Sequence, residues 1–202
     1  MPARIEKTVI PGVFSLDGQD FDVENNVWLV GDDDEVLVID APHDAAPIVD
    51  AIGGRRVTAI VLTHGHNDHV TAAVALREAT GAPVWFNPAD RMLWDVVHPG
   101  AQPDHDLTEG TTFDVAGTTM AAVSTPGHSP GSTCLYAAGL GTVFTGDTLF
   151  CGGPGATGRS FSDHPTIVES IRTRLLTLPG DTVVRTGHGD DTTIAAEAST
   201  VS

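Results

Sequence analysis

The chain of 202 residues has few cysteines that could form disulfide bonds and no long apolar run that could span a membrane. Its two cysteines, Cys134 and Cys151, are too few for a disulfide framework, and we expect both to be reduced thiols. No uncharged apolar run approaches the roughly 20 residues that a bilayer requires, and the N-terminus lacks an apolar stretch of signal-peptide length. The sequence therefore predicts a cytoplasmic protein with no membrane partner.

Positive charge is also scarce. Ten basic residues, of which only Lys7 is a lysine, stand against 27 acidic residues, and the formal net charge is −17. Such a chain repels phosphate groups and shows no basic run to offset this, so we expect no nucleic-acid partner. The length favours a single domain over residues 1–202, and no linker or low-complexity segment divides it.

Hydrophobic periodicity predicts strands and helices that alternate loosely in two halves. The strands of the first half are predicted over Val9–Leu16, Val23–Val30, Val36–Asp40 and Val57–Leu62. A helix over Val70–Ala79 follows and ends at Gly81, and a second helix with one apolar stripe begins near Pro165. Because each helix has a single face to bury, this order favours an α/β (α+β) fold of two mixed sheets with the helices outside.

The segment His64-Gly65-His66-Asn67-Asp68-His69 lies between the strand Val57–Leu62 and the helix that follows. Imidazole and carboxylate groups are the ligands that borderline divalent metals prefer, and here four of them lie within six residues. The plainer alternative is a polar turn in which Asn67 or Asp68 caps the helix, but that needs no histidine. Histidines are rarely clustered without a metal or catalytic reason, so the segment predicts a metal site.

Three further predicted strands end in a glycine-flanked histidine or aspartate, namely His128, Asp147 and His188. Each alone is commonly just a turn residue. Together with the first turn, they form a ligand set that is large enough for two metal ions.

With these motifs the chain resembles the metallo-beta-lactamase fold superfamily, and within it the glyoxalase II-type thioester hydrolases, from Val27 to about Glu197. The resemblance implies a four-layer αββα sandwich and two divalent ions, zinc in the first instance, with iron or manganese as alternatives. It also implies the ligand set: one ion on His64, His66 and His128, the other on Asp68, His69 and His188, and Asp147 bridging them. Asp40 matches an acidic residue that supports the ligand turn in relatives; an ordinary strand-ending turn residue is an equal alternative.

The same resemblance implies a metal-dependent hydrolase in which a metal-bound hydroxide cleaves the thioester of a small thiol, with Asp68 and Asp147 as catalytic residues. Thioesters suit such a site because a thiolate, with a conjugate pKa of about 8.5, leaves without a strong general acid. Glyoxalase II proper has a C-terminal helical domain that binds much of its thiol cofactor, and this chain ends too early for one. The thiol carrier is therefore left open, as is the choice between monomer and homodimer.

Other functions remain compatible with these motifs. A mononuclear iron persulfide dioxygenase would use only His64, His128 and Asp147, and a lactonase or phosphodiesterase of the same fold would use the full set. The intact set argues mildly against a lactam antibiotic as substrate. A non-catalytic alternative is that the metal only stabilises the fold, or that the protein only stores a ligand. Structural zinc, however, is usually bound by cysteines.

Two residues near Asp147 are candidates for substrate contact. Arg159 lies in Gly153–Ser160, which resembles a phosphate-binding loop but has arginine where that loop has lysine, and we interpret it as a flexible lip beside the site. Cys151 follows Asp147 by four residues, although a small buried thiol is the more frequent outcome. The loop histidines that we expect to be solvent-exposed are His43, His98, His105 and His164, and the aromatic residues that we expect in the core are Trp85 and Tyr136.

Overall fold

A computed structural model describes residues 2–201, and its strands form two six-stranded sheets and one short hairpin. The first sheet, in spatial order, consists of β1 (Arg4–Leu16), β2 (Gln19–Gly31), β3 (Glu35–Ile39), β4 (Arg56–Val61), β5 (Val84–Phe86) and β6 (His105–Asp106). The second contains β7 (Thr112–Val115), β8 (Thr118–Ser124), β9 (Thr133–Ala137), β10 (Thr142–Gly146), β13 (Val183–Thr186) and β14 (Thr192–Thr193), in the spatial order β14-β13-β10-β9-β8-β7. The short hairpin pairs β11 (Leu149–Phe150) with β12 (Gly153–Pro154).

Within the described residues, six α-helices accompany the sheets: α1 (Ala45–Ile52), α2 (Asn67–Val70), α3 (Ala73–Thr80), α4 (Arg91–Val97), α5 (His164–Ser170) and α6 (Ile194–Glu197). The apolar stripe of α5 continues through a π-helical segment, Ile171–Leu175. No helix within residues 2–201 has both the length and the apolar character needed to cross a bilayer.

The alternation of side chains along single strands divides the apolar residues among three hydrophobic clusters. Val27 and Leu29 of β2 pack in the same cluster as Ile48 of α1, whereas Trp28 and Val30 face the second sheet. A third cluster packs the outer face of the second sheet against α5, its π-helical continuation and α6. Since side chains alternate between the faces of a strand, one strand serves two layers. The predicted four-layer αββα sandwich is confirmed.

The predicted helix over Val70–Ala79 is wrong in one respect, because it is divided into α2 and α3. The break comes at Ala72, whose N–H donates to Ala41 O at 2.9 Å instead of continuing the ladder of α2. Thr71 Oγ1 donates to Asn67 O at 2.6 Å and closes the short first helix. α2 thereby stays close to the end of β3.

The β1–β2 hairpin is longer than predicted and reaches the histidine turn. Its two strands pair over 13 residues each, from Arg4 opposite Gly31 to Leu16 opposite Gln19, around an Asp17-Gly18 turn with positive φ at both positions. Its distal half is largely exposed and so carries a weak apolar pattern. The ring of Phe14, near the tip, lies 5.1 Å from that of His66.

Candidate metal centre

Two residues, Leu62 and Thr63, separate the end of β4 from the His64–His69 turn, which runs into α2. His66 stands at the start of α2, and no side chain there caps the helix. Asn67 instead binds the hairpin, accepting from Ser15 N and donating to Val13 O, each at 2.8 Å. The interpretation of the turn as a simple helix cap is therefore wrong.

Three buried histidines converge from the two sheets. His66 Nδ1 lies 3.0 Å from both His64 Nε2 and His128 Nε2, and His128 follows β8 of the second sheet. Burial, followed by the influence of His69, lowers the pKa of His64 well below its usual range, and burial with His128 lowers that of His66 to about 3. Both rings are therefore neutral at pH 7 and have nitrogen lone pairs to offer. We call His64, His66 and His128 the three-histidine cluster.

A second group combines Asp68 and His69 with His188, which follows β13 of the second sheet. His188 Nε2 lies 3.3 Å from Asp68 Oδ2 and from His69 Nε2. Burial opposes protonation of both rings, but Asp147 outweighs it, raising the pKa of His69 well above its usual range and that of His188 to about 10. This carboxylate-containing cluster therefore attracts positive charge. We call Asp68, His69 and His188 the aspartate cluster.

Asp147, directly after β10, lies between the two clusters. Its Oδ1 is 3.3 Å from His69 Nε2, and its Oδ2 is 3.4 Å from His188 Nε2 and 3.6 Å from His128 Nε2. Burial opposes ionisation, but the neighbouring His69 and His188 hold the pKa of Asp147 well below its usual range. Gly187 permits this approach, since a Cβ there would lie 2.2 Å from Asp147 Oδ1.

The outward nitrogens of the rings are anchored to oxygen acceptors. His128 Nδ1 donates to Ala156 O at 2.9 Å and His188 Nδ1 to Glu24 O at 2.8 Å, and His69 Nδ1 lies 2.8 Å from Asp40 Oδ2. An Nδ1–H that is fixed in this way turns Nε2 of each ring towards the centre, where a metal ion can take the place of an Nε2 proton. Asp40 also accepts from Thr63 N at 2.8 Å and from Thr63 Oγ1 at 2.9 Å, so it ties the end of β4 to His69.

The donor set fits divalent metal ions. The ligand atoms of each cluster lie within 4.8 Å of one another, and the same holds for His64, His69 and Asp147. Asp147 Oδ1 is buried and accepts no hydrogen bond from any described residue. The nitrogen lone pairs of the three-histidine cluster lie about 3.0 Å apart, and with the unbonded carboxylate oxygen they would be stabilised by a cation between them. Nitrogen and oxygen donors of this kind suit zinc, iron or manganese.

Comparison with known proteins agrees with this geometry. Residues 21–188 match the family described as the metallo-beta-lactamase superfamily. The chain belongs to this superfamily. That assignment confirms the family predicted from the motifs, and the shared fold is confirmed by the solved structures.

Three similar proteins illustrate the range of this superfamily. The hydroxyacylglutathione hydrolase GloC of Haemophilus influenzae is 33% identical over 190 residues, which cover 86% of this chain and 90% of that protein. The B3 metallo-beta-lactamase BLEG-1 superposes with a TM-score of 0.80 at 30% identity, covering 95% of this chain and 98% of that one. A di-iron-bound form of the protein TTHA1623 gives a TM-score of 0.78 at 31% identity, with the same coverage of both chains.

Membership in the superfamily supports a metal-binding hydrolase of the glyoxalase II-like kind at that general level. The di-iron neighbour means that zinc stays a prediction. The roles of the seven ligand candidates and of Asp40 also stay predictions, although the structure brings all eight side chains together.

Two polar residues of this superfamily member were missed by sequence reasoning, and both contact the centre. Asn25, fully buried on β2, donates through Nδ2 to Asp68 Oδ2 at 3.0 Å, and its Oδ1 lies 2.8 Å from His43 Nε2. His43 is thus half-buried and bonded, not exposed as predicted, because Gly12 leaves room for its ring under the hairpin. The other is Asp90, which lies behind the histidine turn. A lone Asn or Asp in sequence offered no signal for either position.

The two candidates for substrate contact lie in different surroundings. Arg159 lines a small cavity with His66 and His128, but its Nη1 donates to Gln19 Oε1 at 2.9 Å and its guanidinium lies 4.6 Å from the Phe21 ring centre. Cys151 is exposed in the β11–β12 turn, so the expectation of a buried thiol is wrong there. Cys134 is buried and unpaired, and burial raises its pKa to about 11.

The remaining histidines and aromatic residues lie away from the clusters. His105 and His164 are exposed as expected, whereas His98 is half-buried and its Nε2 donates to Val70 O at 2.8 Å, so the expectation for His98 is wrong. Trp85 and Tyr136 are partly buried against the cores.

A cleft of about 420 Å³ opens onto the centre of this superfamily member. Its polar floor is formed by Asp68, Asp147 and three of the histidines, and its walls by Phe14, Val23, Phe150 and Ala156. Besides the cluster residues and Asp147, the only ionisable residue lining it in the described chain is Glu24.

Proposed function

We propose that the protein is a two-metal hydrolase that cleaves the thioester bond of a small thiol. The observation that carries this proposal is Asp147, whose two carboxylate oxygens reach histidines of both clusters. A carboxylate in that position suits a pair of ions better than a single one, because it lies within 3.6 Å of ligand nitrogens from both clusters.

When bound, two divalent ions would supply a water molecule that ionises near neutral pH and a positive charge for the substrate carbonyl. The three-histidine cluster and the aspartate cluster would hold one ion each. Asp68 and Asp147 are the carboxylates of the cleft floor beside which the carbonyl carbon would react. Asn25 donates to Asp68 Oδ2 and holds this carboxylate at the cleft floor beside His188, where Asp68 would take the proton of the attacking water.

The lining of the cleft favours a thioester over an amide. An amine leaves as a strong base and needs a general acid, whereas a thiolate, with a conjugate pKa of about 8.5, leaves unaided. No lysine, tyrosine or cysteine of the described chain lines the cleft, and Glu24, at its rim, is the one carboxylate outside the clusters and Asp147. The apolar walls exclude bulk water from the floor and suit an uncharged acyl group.

The similar proteins support two outcomes. GloC is a hydroxyacylglutathione hydrolase by name, which supports a thioester substrate. BLEG-1 is a metallo-beta-lactamase by name and 30% identical, so a lactam is the second candidate. The acidity of the chain supports a small-molecule substrate in place of a nucleic acid or membrane surface.

The test combines metal content with a substrate panel. Purified protein is analysed for zinc, iron and manganese and reconstituted with Zn²⁺. It is then assayed on a thioester, a lactone and a lactam of similar acyl size, and on a phosphodiester. We expect two ions per chain and the highest kcat/KM for the thioester. One iron per chain with oxygen uptake on a persulfide would overturn the proposal, as would faster cleavage of the lactam.

The exposed variant Asp95→Asn serves as the control. Asp95 pairs with Arg91 on the surface of α4, so this variant should leave both the metal content and the thioester rate unchanged.

A further inference from the structure

Asp90 is a fully buried carboxylate that belongs to neither ligand cluster. It ends the 3-10 turn Pro88–Asp90 and precedes α4, yet its side chain makes no capping bond to that helix. Carboxylates are almost never fully buried without partners. Its partners lie elsewhere in the chain.

Those partners belong to the two loops that carry the three-histidine cluster. Asp90 Oδ2 accepts from Gly65 N at 2.8 Å and from Ser129 Oγ at 2.6 Å, and Oδ1 accepts from Gly131 N at 2.6 Å. Gly65 separates His64 from His66, and Ser129 directly follows His128. One carboxylate therefore joins the turn after β4 to the loop after β8.

Two glycines make room for this contact. A Cβ at Gly65 would lie 2.9 Å from Asp90 Cβ and from Leu93 Cβ, and one at Gly131 would lie 2.7 Å from Asp90 Cγ. Neither glycine has a positive φ, so the backbone conformation alone does not require glycine at either position. The absence of side chains here serves the close approach of Asp90.

We propose that Asp90 is a positioning residue that sets the spacing of His64 and His66 relative to His128, and thereby the affinity of the three-histidine cluster for its metal ion. The inference rests on the proposed function in one respect, that this cluster binds a metal ion. The aspartate cluster has other supports, since Asp40 holds His69, Asn25 holds Asp68 and Glu24 O holds His188. Its affinity should therefore be independent of Asp90.

Asp90→Asn tests this role, because an amide keeps the volume of the carboxylate but has a single acceptor oxygen and no negative charge. The carboxylate accepts from three donors, two of which are backbone N–H groups that cannot reverse. An amide has one oxygen, so whichever way it turns, its NH₂ group faces either Gly65 N–H or Gly131 N–H. One of the two loops then loses its anchor.

The experiment separates the two metal sites. Asp90→Asn is introduced into His188→Ala, in which only the three-histidine cluster is complete, and into His128→Ala, in which only the aspartate cluster is complete. Zn²⁺ affinity is measured by competition with a chromophoric chelator. We expect about a 10- to 100-fold loss in the His188→Ala background, as for partners that orient ligands elsewhere, and no more than about twofold in the other.

The control variant Asp95→Asn, on the exposed face of α4, should change the Zn²⁺ affinity of neither cluster. Thermal unfolding in excess chelator shows whether each variant is folded. An equal loss in both backgrounds indicates a merely structural role and overturns the inference, as does an unchanged affinity. If Asp90→Asn does not fold, Ser129→Ala, which removes one of the three donors, is judged by the same comparison. A parent protein that binds no Zn²⁺ refutes the proposed function itself, and the inference with it.

Discussion

Replacing Asp40 by asparagine should lower the affinity of the centre for metal, because Asp40 anchors the ring of His69. Asp40 Oδ1 accepts from Thr63 N, and Oδ2 accepts from Thr63 Oγ1 and lies 2.8 Å from His69 Nδ1. Its φ is +63°, a conformation that asparagine tolerates better than most residues, so the substitution adds little backbone strain. Any effect therefore arises from the changed hydrogen bonds and from the loss of the negative charge beside His69.

In Asp40→Asn the amide oxygen keeps Thr63 N–H, and the NH₂ group takes the place of Oδ2. Thr63 Oγ1 can rotate and accept, but His69 Nδ1–H then faces another donor. His69 must lose the bond or move its proton to Nε2, the nitrogen that lies 3.3 Å from His188 Nε2 and from Asp147 Oδ1. The first response leaves the ring without its anchor and the second takes the lone pair from Nε2, so each weakens His69 as a ligand.

The expected magnitude has two parts. One unmet buried hydrogen bond lowers the free energy of unfolding by about 1–3 kcal/mol, and each kcal/mol lowers Tm by about 2–4 °C in a domain of this size. Loss of a ligand-orienting partner lowers metal affinity by about 10- to 100-fold.

The assay pairs denaturant unfolding in excess chelator with Zn²⁺ competition. Asp95→Asn, whose partner is a surface arginine, should stay within about 0.5 kcal/mol of the parent protein. A variant that is less stable but binds Zn²⁺ as tightly as the parent would refute the reasoning, because Asp40 would then support β4 and not the ligand.

Three further predictions follow from the site. Asp147→Ala should lower kcat by more than about 100-fold, beyond the usual cost of losing an outer partner, with Tm in chelator nearly unchanged; an undiminished rate would refute its role. Phe14→Ala should lower kcat/KM by about 5- to 30-fold for thioesters with a large apolar acyl group, because about 1–2 kcal/mol of apolar contact with the cleft wall is lost. Acetyl thioesters should be affected little, and equal losses for both would contradict a contact between Phe14 and the acyl group. One thiol per folded chain should react promptly with a disulfide reagent, because Cys151 is exposed whereas Cys134 is buried with its pKa raised to about 11. Cys151→Ser should abolish that reaction, and a prompt reaction that persists would contradict the burial of Cys134.

Sequence reasoning reached those parts of the site in which the signal is local. The ligand turn is contiguous, and each later ligand candidate lies within four residues of the end of a strand, so pattern alone could identify them. Asn25 and Asp90 carry no such signal, because their contacts join residues 43 and 41 positions apart, as in Asn25 to Asp68 and Asp90 to Gly131.

The errors at Cys151 and His43 have physical causes as well. Thiols tend to be buried in general, but Cys151 precedes Gly152 and Gly153, which indicate a turn, and turn residues are commonly exposed. His43 was expected to be exposed because it follows Pro42 in a loop, but the length of the hairpin that covers it depends on pairing between strands. Periodicity within one strand does not report such pairing.

The origin of the ligands also bears on how the protein unfolds. Each cluster takes two side chains from the turn after β4 in the first sheet and one from the second sheet, which also supplies Asp147. In a chain whose two cysteines are unpaired, ions held this way would act as reversible cross-links between the two halves. The sheets could then separate only after the ions dissociate, and free metal at 100 times its Kd would add about 2.7 kcal/mol per ion to stability. Resistance to heat or proteolysis would therefore depend on the metal supply.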